Sequence, residues 1–245
     1  MPASAFAGGP CVCRHRIEVC DERCVRELVD VPSYFACLRL TGRRCVVVGG
    51  GPVALEKVEG LLACGADVTL VSPEAVADLA GLAEEGSIVW TRRGYLPQDL
   101  DGAFVVVAAT DDTDLNVAVS QDADARGTLC NVADVPPLCS FILPAVVRNG
   151  PVAIAVSTSG ASPALAQRMR DEIAAAFGEP YARLAEILNE VRGWAKATLP
   201  TYRSRKAFFD SVVHGTPDPV ELLRTGDEAG LRELLERRRR EASPD

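Results

Sequence analysis

A chain of 245 residues, 48% hydrophobic and 24% charged, carries enough apolar material for one large core or two modest ones and has the composition of a soluble globular protein. Its net charge of -8 argues against a general nucleic-acid binder, which would be basic. Its apolar runs, such as RRCVVVGG and AFVVVAAT, fall well short of the roughly 20 residues that cross a bilayer, so no membrane span is expected.

The opening stretch MPASAFAGGPCVCRHR has no charged start followed by an apolar block. No secretory leader is expected, and the protein is placed in the cytoplasm. Cys45, Cys64 and Cys130 sit in or beside apolar segments and read as small core residues. Cys11, Cys13, Cys20 and Cys24, with His15, have the donors for zinc or iron, yet C-x-C followed by C-x3-C fits no strong metal template. The other reading is a loosely ordered leader, or a start site placed too far upstream.

From Leu38 to Val135, strand-like runs alternate with helical patterns. RRCVVVGG reads as a first strand and Pro52 to Cys64 as a helix, with Leu55, Val58, Leu61 and Leu62 on one face and Gly65 as its stop. ADVTLVSP is a second strand, Glu74 to Glu85 a short helix, SIVWTR a third strand and AFVVVAAT a fourth. Asp112 to Arg126 is a helix with Leu115, Ala118 and Val119 inward, and TLCNVAD a fifth strand. This alternation predicts an α/β, Rossmann-type domain, a parallel sheet with helices on both faces.

After Pro136 the pattern changes. SFILPAVVRNGPVAIAVSTSG holds two β-rich runs around Asn149-Gly150, a hairpin or a pair of extended arms. Ser162-Pro163 opens a helix whose Leu165, Met169, Ile173 and Phe177 share a face. From Pro180 on the chain reads as all-helical, with Leu184, Ile187, Leu188, Val191 and Trp194 as a stripe. Arg237 to Arg240 read as a solvated helix end beside Glu233 and Glu236. The expected organisation is a Cys-rich extension over residues 1–33, a nucleotide-binding domain over 34–138, a small β-plus-helix dimerisation segment over 139–178 and a helical domain over 179–245. The middle segment has too little surface to bury its own strands, so a partner subunit is expected to supply it.

Gly49-Gly50-Gly51-Pro52-Val53-Ala54 carries G-x-G-x-x-A between a strand and a helix. Gly49 permits the tight turn, Gly51 lets the backbone approach a pyrophosphate, and Ala54 allows close helix–strand packing. The helix N-terminus offers N–H groups to the phosphates. After the second strand stands Ser72-Pro73-Glu74 rather than the usual acid at the strand end. Glu74, or backbone near Pro73, is assigned to the ribose, and with no Arg directly following, the cofactor reads as NAD rather than NADP. Thr110, Asp111 and Asn131 to Asp134 end the fourth and fifth strands and are expected at the same crevice. Asp112 reads equally well as a helix cap.

The blocks LRLTGRRCVVVGGGPVALEKVEGLLACGADVTLVSPE, VVVAATDDTDLN, CNVADVPPLCSFILPA and VAIAVSTSGASPALAQRMR resemble the precorrin-2 dehydrogenase family, which includes the N-terminal module of siroheme synthase. The likeness runs from about Tyr34 to Phe177 and is weaker in the tail. It implies NAD-dependent oxidation of precorrin-2 to sirohydrochlorin and an intertwined homodimer. In some members it also implies insertion of Fe(II) as a substrate metal. The family's aspartate maps to Asp134, its nucleotide contacts to Pro52, Val53, Pro73 and Glu74, and its serine-rich loop to Ser157-Thr158-Ser159-Gly160. Thr158 stands where some members carry a phosphoserine. The length leads one to expect a form without a methyltransferase domain. For a substrate rich in carboxylates, Arg168 is the first candidate partner, with Arg148, Arg170, Arg203, Arg205 and Lys206 behind it. Two alternatives stay open: a dehydrogenase working beside a separate chelatase, and a non-catalytic NAD-sensing regulator.

Overall fold

The computed structural model describes residues 33–243, so the four N-terminal cysteines and His15 lie outside the described residues. The chain divides into two compact units. Among the described residues, one holds those up to Leu143 together with Ser159–Ala161, and the other holds Pro144–Thr158 and those from Ser162 to Ser243.

The first unit is a five-stranded parallel sheet: β1 (Arg44–Val48), β2 (Asp67–Val71), β3 (Val89–Thr91), β4 (Val105–Ala108) and β5 (Leu129–Val132), in the order β3-β2-β1-β4-β5. Burial on both faces of the pleat explains why β1 is apolar from Cys45 to Val48. Cys45 and Val47 face one core with Ala54, Val58 and Leu79, while Val46 and Val48 face the other with Val119 and Val132. Helices α1 (Pro52–Leu62) and α2 (Ala77–Glu84) cover the first face, and α3 (Thr113–Arg126) covers the second. Burying each such Val contributes about 1.5–3 kcal/mol.

Two expectations need correction here. Helix α2 begins at Ala77, not Glu74, because the segment before it is held as a bend: the Val76 N–H donates to Gly50 O at 2.9 Å. On α3 the inward residues are Asn116, Val119 and Ala123, with Leu115 half-buried and Ala118 exposed. A polar residue takes the inward slot because Asn116 Nδ2 donates to Thr110 O (3.0 Å) and Thr110 Oγ1 donates to Asn116 Oδ1 (2.8 Å), so its burial costs little. Asp112 caps α3, accepting the Leu115 N–H at 3.0 Å, and Gly127 (φ 67°) ends it in the left-handed conformation.

Two short 3-10 turns, Pro97–Leu100 and Pro136–Leu138, were not anticipated. The first buries Asp99, which receives both Arg93 nitrogens at 2.8 and 2.6 Å. That guanidinium holds the Asp99 carboxyl below the ordinary carboxylate range.

In the second unit β6 (Ala145–Asn149) and β7 (Val152–Val156) form an antiparallel hairpin closed by Gly150 (φ 53°) and Pro151. Helix α4 (Pro163–Ala176) packs on both strands, and Ser162 caps it by accepting the Leu165 N–H at 3.2 Å. Its apolar stripe is not buried. Leu165, Met169 and Phe177 remain 49%, 40% and 40% exposed, and Ala166 is the buried residue of the helix. Helices α5 (Glu179–Thr198), α6 (Tyr202–Val213), α7 (Pro219–Arg224) and α8 (Glu228–Ala242) enclose a core of Ile187, Val191, Phe208, Val212, Leu231 and Leu234. Arg183 grips Glu228 with two 3.0 Å bonds, and this bonding, with that from Arg232, holds the Glu228 carboxyl down to about 2. Arg238 and Arg239 pair with Glu241 and Glu236 but are half-buried rather than solvated as expected, Arg239 because it lies over the Trp194 ring at 5.1 Å.

Candidate active site

The strand order reverses between β1 and β4, and in open α/β sheets that switch point, at the carboxyl ends of the strands, is where ligands bind. The chain leaves the sheet there at one level. Backbone bonds continue one step past each strand end: Ser72 N–H to Thr91 O, Gly49 N–H to Val71 O, Ala109 N–H to Val48 O and Ala133 N–H to Ala108 O, at 2.8 to 3.2 Å. The glycine turn after β1, the Thr110-Asp111 turn after β4 and Asp134 after β5 therefore share one edge. With adjacent strands roughly 5 Å apart, about 10 Å of sheet edge separates Gly49 from the chain at Ala133.

Each glycine of the turn has its own constraint. Gly49 sits at φ 115°, and a side chain there would overlap the Ala109 carbonyl. A Cβ on Gly50 would overlap the Glu74 carbonyl. A Cβ on Gly51 would meet nothing within 4 Å. Thus Gly49 and Gly50 are required by the protein's own packing, whereas Gly51 opens on free space at the start of α1. Sequence reading assigned roles to Gly49 and Gly51 and none to Gly50; the signal was present in the uninterrupted run of three glycines, but the contact it serves lies 24 residues away. The α1 N-terminus has no side-chain cap and no acidic residue in its first turn, so its N–H groups and positive dipole end are offered outward. Pro52, Val53, Pro73 and Glu74 are all exposed around it. An uncapped helix start, a bare Gly51 and an exposed rim form a cradle that fits a pyrophosphate.

Beyond β4, Thr110 is held by Asn116, and Asp111 is exposed. Asn116 was missed by sequence reading; a polar residue inside a helix gives little signal by itself. Beyond β5, Asn131 is buried, and its amide donates to Phe141 O at 3.1 Å. Asp134 is exposed and adopts φ 59°, a left-handed conformation that Asp and Asn enter more readily than other side-chain-bearing residues. The loop carrying it is pinned where it returns. The Ser140 N–H donates to Cys130 O (2.8 Å), the Cys130 N–H donates to Ser140 Oγ (2.7 Å), and the Ser120 hydroxyl on α3 donates to Leu138 O (2.9 Å). Burial, reinforced by neighbouring Cys139, pushes the Cys130 thiol up to about 12.

The first unit thus gathers Gly49, Gly51, Pro52, Val53, Pro73, Glu74, Thr110 and Asp111 on one edge, with Asn131 and Asp134 at the end of β5. Ser157, Thr158 and Arg168 belong to the second unit, while Ser159 groups with the first. The Thr158 hydroxyl accepts the Ser162 N–H (3.0 Å) and donates to Ser162 O (3.1 Å), bracing the turn into α4. Arg168 is exposed and pairs with Glu172 at 2.8 Å.

Comparison with known proteins finds matches to three successive parts of the chain. Residues 36–145 match a family described as putative NAD(P)-binding, residues 149–176 the central family of sirohaem biosynthesis proteins, and residues 180–238 the sirohaem synthase dimerisation region. A siroheme synthase of Chromobacterium violaceum is 39% identical over 201 residues, covering 82% of this chain and 42% of that protein. One from Thioalkalivibrio sulfidiphilus is 42% identical over 201 residues, covering 82% of this chain and 40% of that protein. The chain spans about two fifths of the length of these curated relatives. Among solved structures, SirC, a precorrin-2 dehydrogenase, matches with a TM-score of 0.70 at 26% identity, covering 85% of this chain and 100% of that one.

Proposed function

We propose that the chain, whose three successive segments match NAD(P)-binding and sirohaem synthase families, is a member of the family of precorrin-2 dehydrogenases and siroheme synthase N-terminal modules and oxidises precorrin-2 to sirohydrochlorin with NAD as acceptor. The observation that carries this reading is the shared edge of the sheet: a bare, uncapped glycine turn at one end and the Asp134 carboxylate at the other.

The oxidation removes two hydrogens from the macrocycle, one as hydride and one as proton. NAD supplies the hydride acceptor. The chain's own residues do the rest. Gly51 and the free N–H groups in the first turn of α1, after Pro52, would hold the pyrophosphate, with Pro52 and Val53 flanking it. Pro73 and Glu74, after β2, would take the ribose at the adenosine end. Thr110, Asp111 and Asn131 shape the edge toward β5, Thr110 by anchoring its turn to Asn116 and Asn131 by holding Phe141 O. Asp134 accepts the proton leaving the macrocycle; its exposure keeps the carboxylate accessible.

Ser157, Thr158, Ser159 and Arg168 are assigned to substrate. Thr158 acts through its turn, since its hydroxyl is engaged with Ser162. An exposed ion pair such as Arg168–Glu172 is worth little, so the guanidinium exchanges readily to a substrate carboxylate. We place a second copy of the chain against the Leu165–Met169–Phe177 stripe, giving a homodimer, and the enzyme in the cytoplasm.

Anaerobic incubation with precorrin-2 and NAD tests the reaction. NADH and the sirohydrochlorin spectrum should appear together; absence of both rejects the proposal. Adding Fe(II) and sirohydrochlorin in the same apparatus, corrected for spontaneous insertion, tests chelation separately.

A further inference from the structure

Asp134 stands in a short turn past the end of β5. It is exposed, carries a left-handed backbone conformation and lies between β5 and a Pro-Pro turn. The neck of this loop carries one backbone bond, the Val135 N–H donated to Val132 O at 3.3 Å, and a sulfur atom joins the same two residues from the side. Cys139 Sγ accepts the Val132 N–H at 3.2 Å and lies 3.3 Å from Val132 O and 3.5 Å from Val135 O. Asn131 Nδ2 reaches the same sulfur at 3.6 Å. The thiol therefore joins the backbone on both sides of Asp134, two residues before it and one after.

We propose that Cys139 is a positioning residue: its thiol bridges Val132 and Val135 and so fixes where the Asp134 carboxylate stands at the sheet edge. This rests on the proton-accepting role assigned to Asp134. Burial pushes the Cys139 thiol up, so it keeps its proton at neutral pH and donates as well as accepts. The Ser140 bonds to Cys130 and the Ser120 bond to Leu138 hold the returning strand, but they lie beyond the loop's neck. Cys139 is the residue whose side chain acts at the neck itself.

A space-filling role and a hydrogen-bonding role predict opposite orders of substitution. If Cys139 only filled a gap, valine would serve and serine, a buried hydroxyl in a smaller volume, would be worse. If its polar bridge matters, serine keeps a donor and an acceptor and valine has neither. The experiment is steady-state kinetics with precorrin-2 and NAD on full-length wild type, Cys139→Ser, Cys139→Val and Asp134→Asn, with Tm for each. The expected result is a kcat lowered by about 10- to 100-fold in Cys139→Val, most of it recovered in Cys139→Ser, with KM for NAD unchanged in both. Combining Cys139→Val with Asp134→Asn should slow the enzyme no further than Asp134→Asn alone. If valine does not fold, Cys139→Ala makes the same comparison. A valine variant within about twofold of wild type, or a serine variant slower than valine, overturns the positioning role. Wild-type kinetics in Asp134→Asn would instead overturn the role of Asp134. The two failures are thus read from different variants.

Discussion

Gly50→Ala and Gly51→Ala, one residue apart, should fail in opposite ways. On Gly50 the new methyl falls on the Glu74 carbonyl and 2.9 Å from Ala75 Cα. Both obstacles are backbone, so the bend before α2 must move, and the Val76 to Gly50 bond of 2.9 Å goes with it. Overpacking of this kind costs about 1–3 kcal/mol and the lost bond about 1 more. For a chain of this size that lowers Tm by about 5–15 °C. On Gly51 the methyl meets no protein atom, and φ of -84° suits alanine. A stiffer unfolded chain and a poorer N-cap offset each other, leaving stability within about 1 kcal/mol of wild type. The methyl does occupy the space assigned to the pyrophosphate, so NAD affinity should fall at least about tenfold, or 1.4 kcal/mol. Differential scanning fluorimetry and isothermal titration with NAD measure both quantities. Wild-type NAD affinity in Gly51→Ala would place the dinucleotide elsewhere. An unchanged Tm in Gly50→Ala would refute the packing of the turn on the bend.

Asp99→Asn should cost about 1–3 kcal/mol at neutral pH, discounted because Arg93 is partly exposed. The Asp99 pKa is lowered in the folded state, so its stabilisation is present above the ordinary carboxylate range and is lost as pH falls through the depressed value; wild-type and variant Tm should converge only in that acid window. Burial pushes the Cys45 thiol to about 11 and Cys130 to about 12, whereas Cys37 is exposed. Iodoacetamide at pH 8 followed by peptide mapping should label Cys37 and spare Cys45 and Cys130 until the chain is unfolded. Met169→Glu puts a charge into the exposed stripe of α4 and should shift the light-scattering mass from dimer toward monomer while leaving the far-ultraviolet spectrum unchanged.

The sheet was legible because its strands are short blocks of β-branched residues between turn signals, and such blocks report their own burial. The caps at Asp112 and Ser162 were legible for the same local reason: each bonds an N–H three residues on. What escaped depends on residues far apart in sequence. The bend over Glu74 is held by Gly50, and Asn116 points inward because of Thr110. The burial of Asp99 depends on Arg93 and on its 3-10 turn. The shared face of Leu165, Met169 and Phe177 was legible on α4, but its exposure was not; periodicity shows that a face is apolar, not which surface covers it. At the site, the glycine turn declared itself through spacing. The left-handed backbone of Asp134 and the sulfur bridge below it left no pattern in the sequence.

The central claim is most directly tested by the initial rate of NADH formation from precorrin-2 under anaerobic conditions, wild type beside Asp134→Asn. Asparagine keeps the size of the side chain and tolerates φ of 59°, which alanine does not, so the fold survives and only the proton acceptor is removed. The account predicts rapid NADH formation by wild type and a loss of about 100-fold or more in the variant at unchanged NAD affinity. Equal rates in the two proteins, or no NADH from wild type, would contradict it.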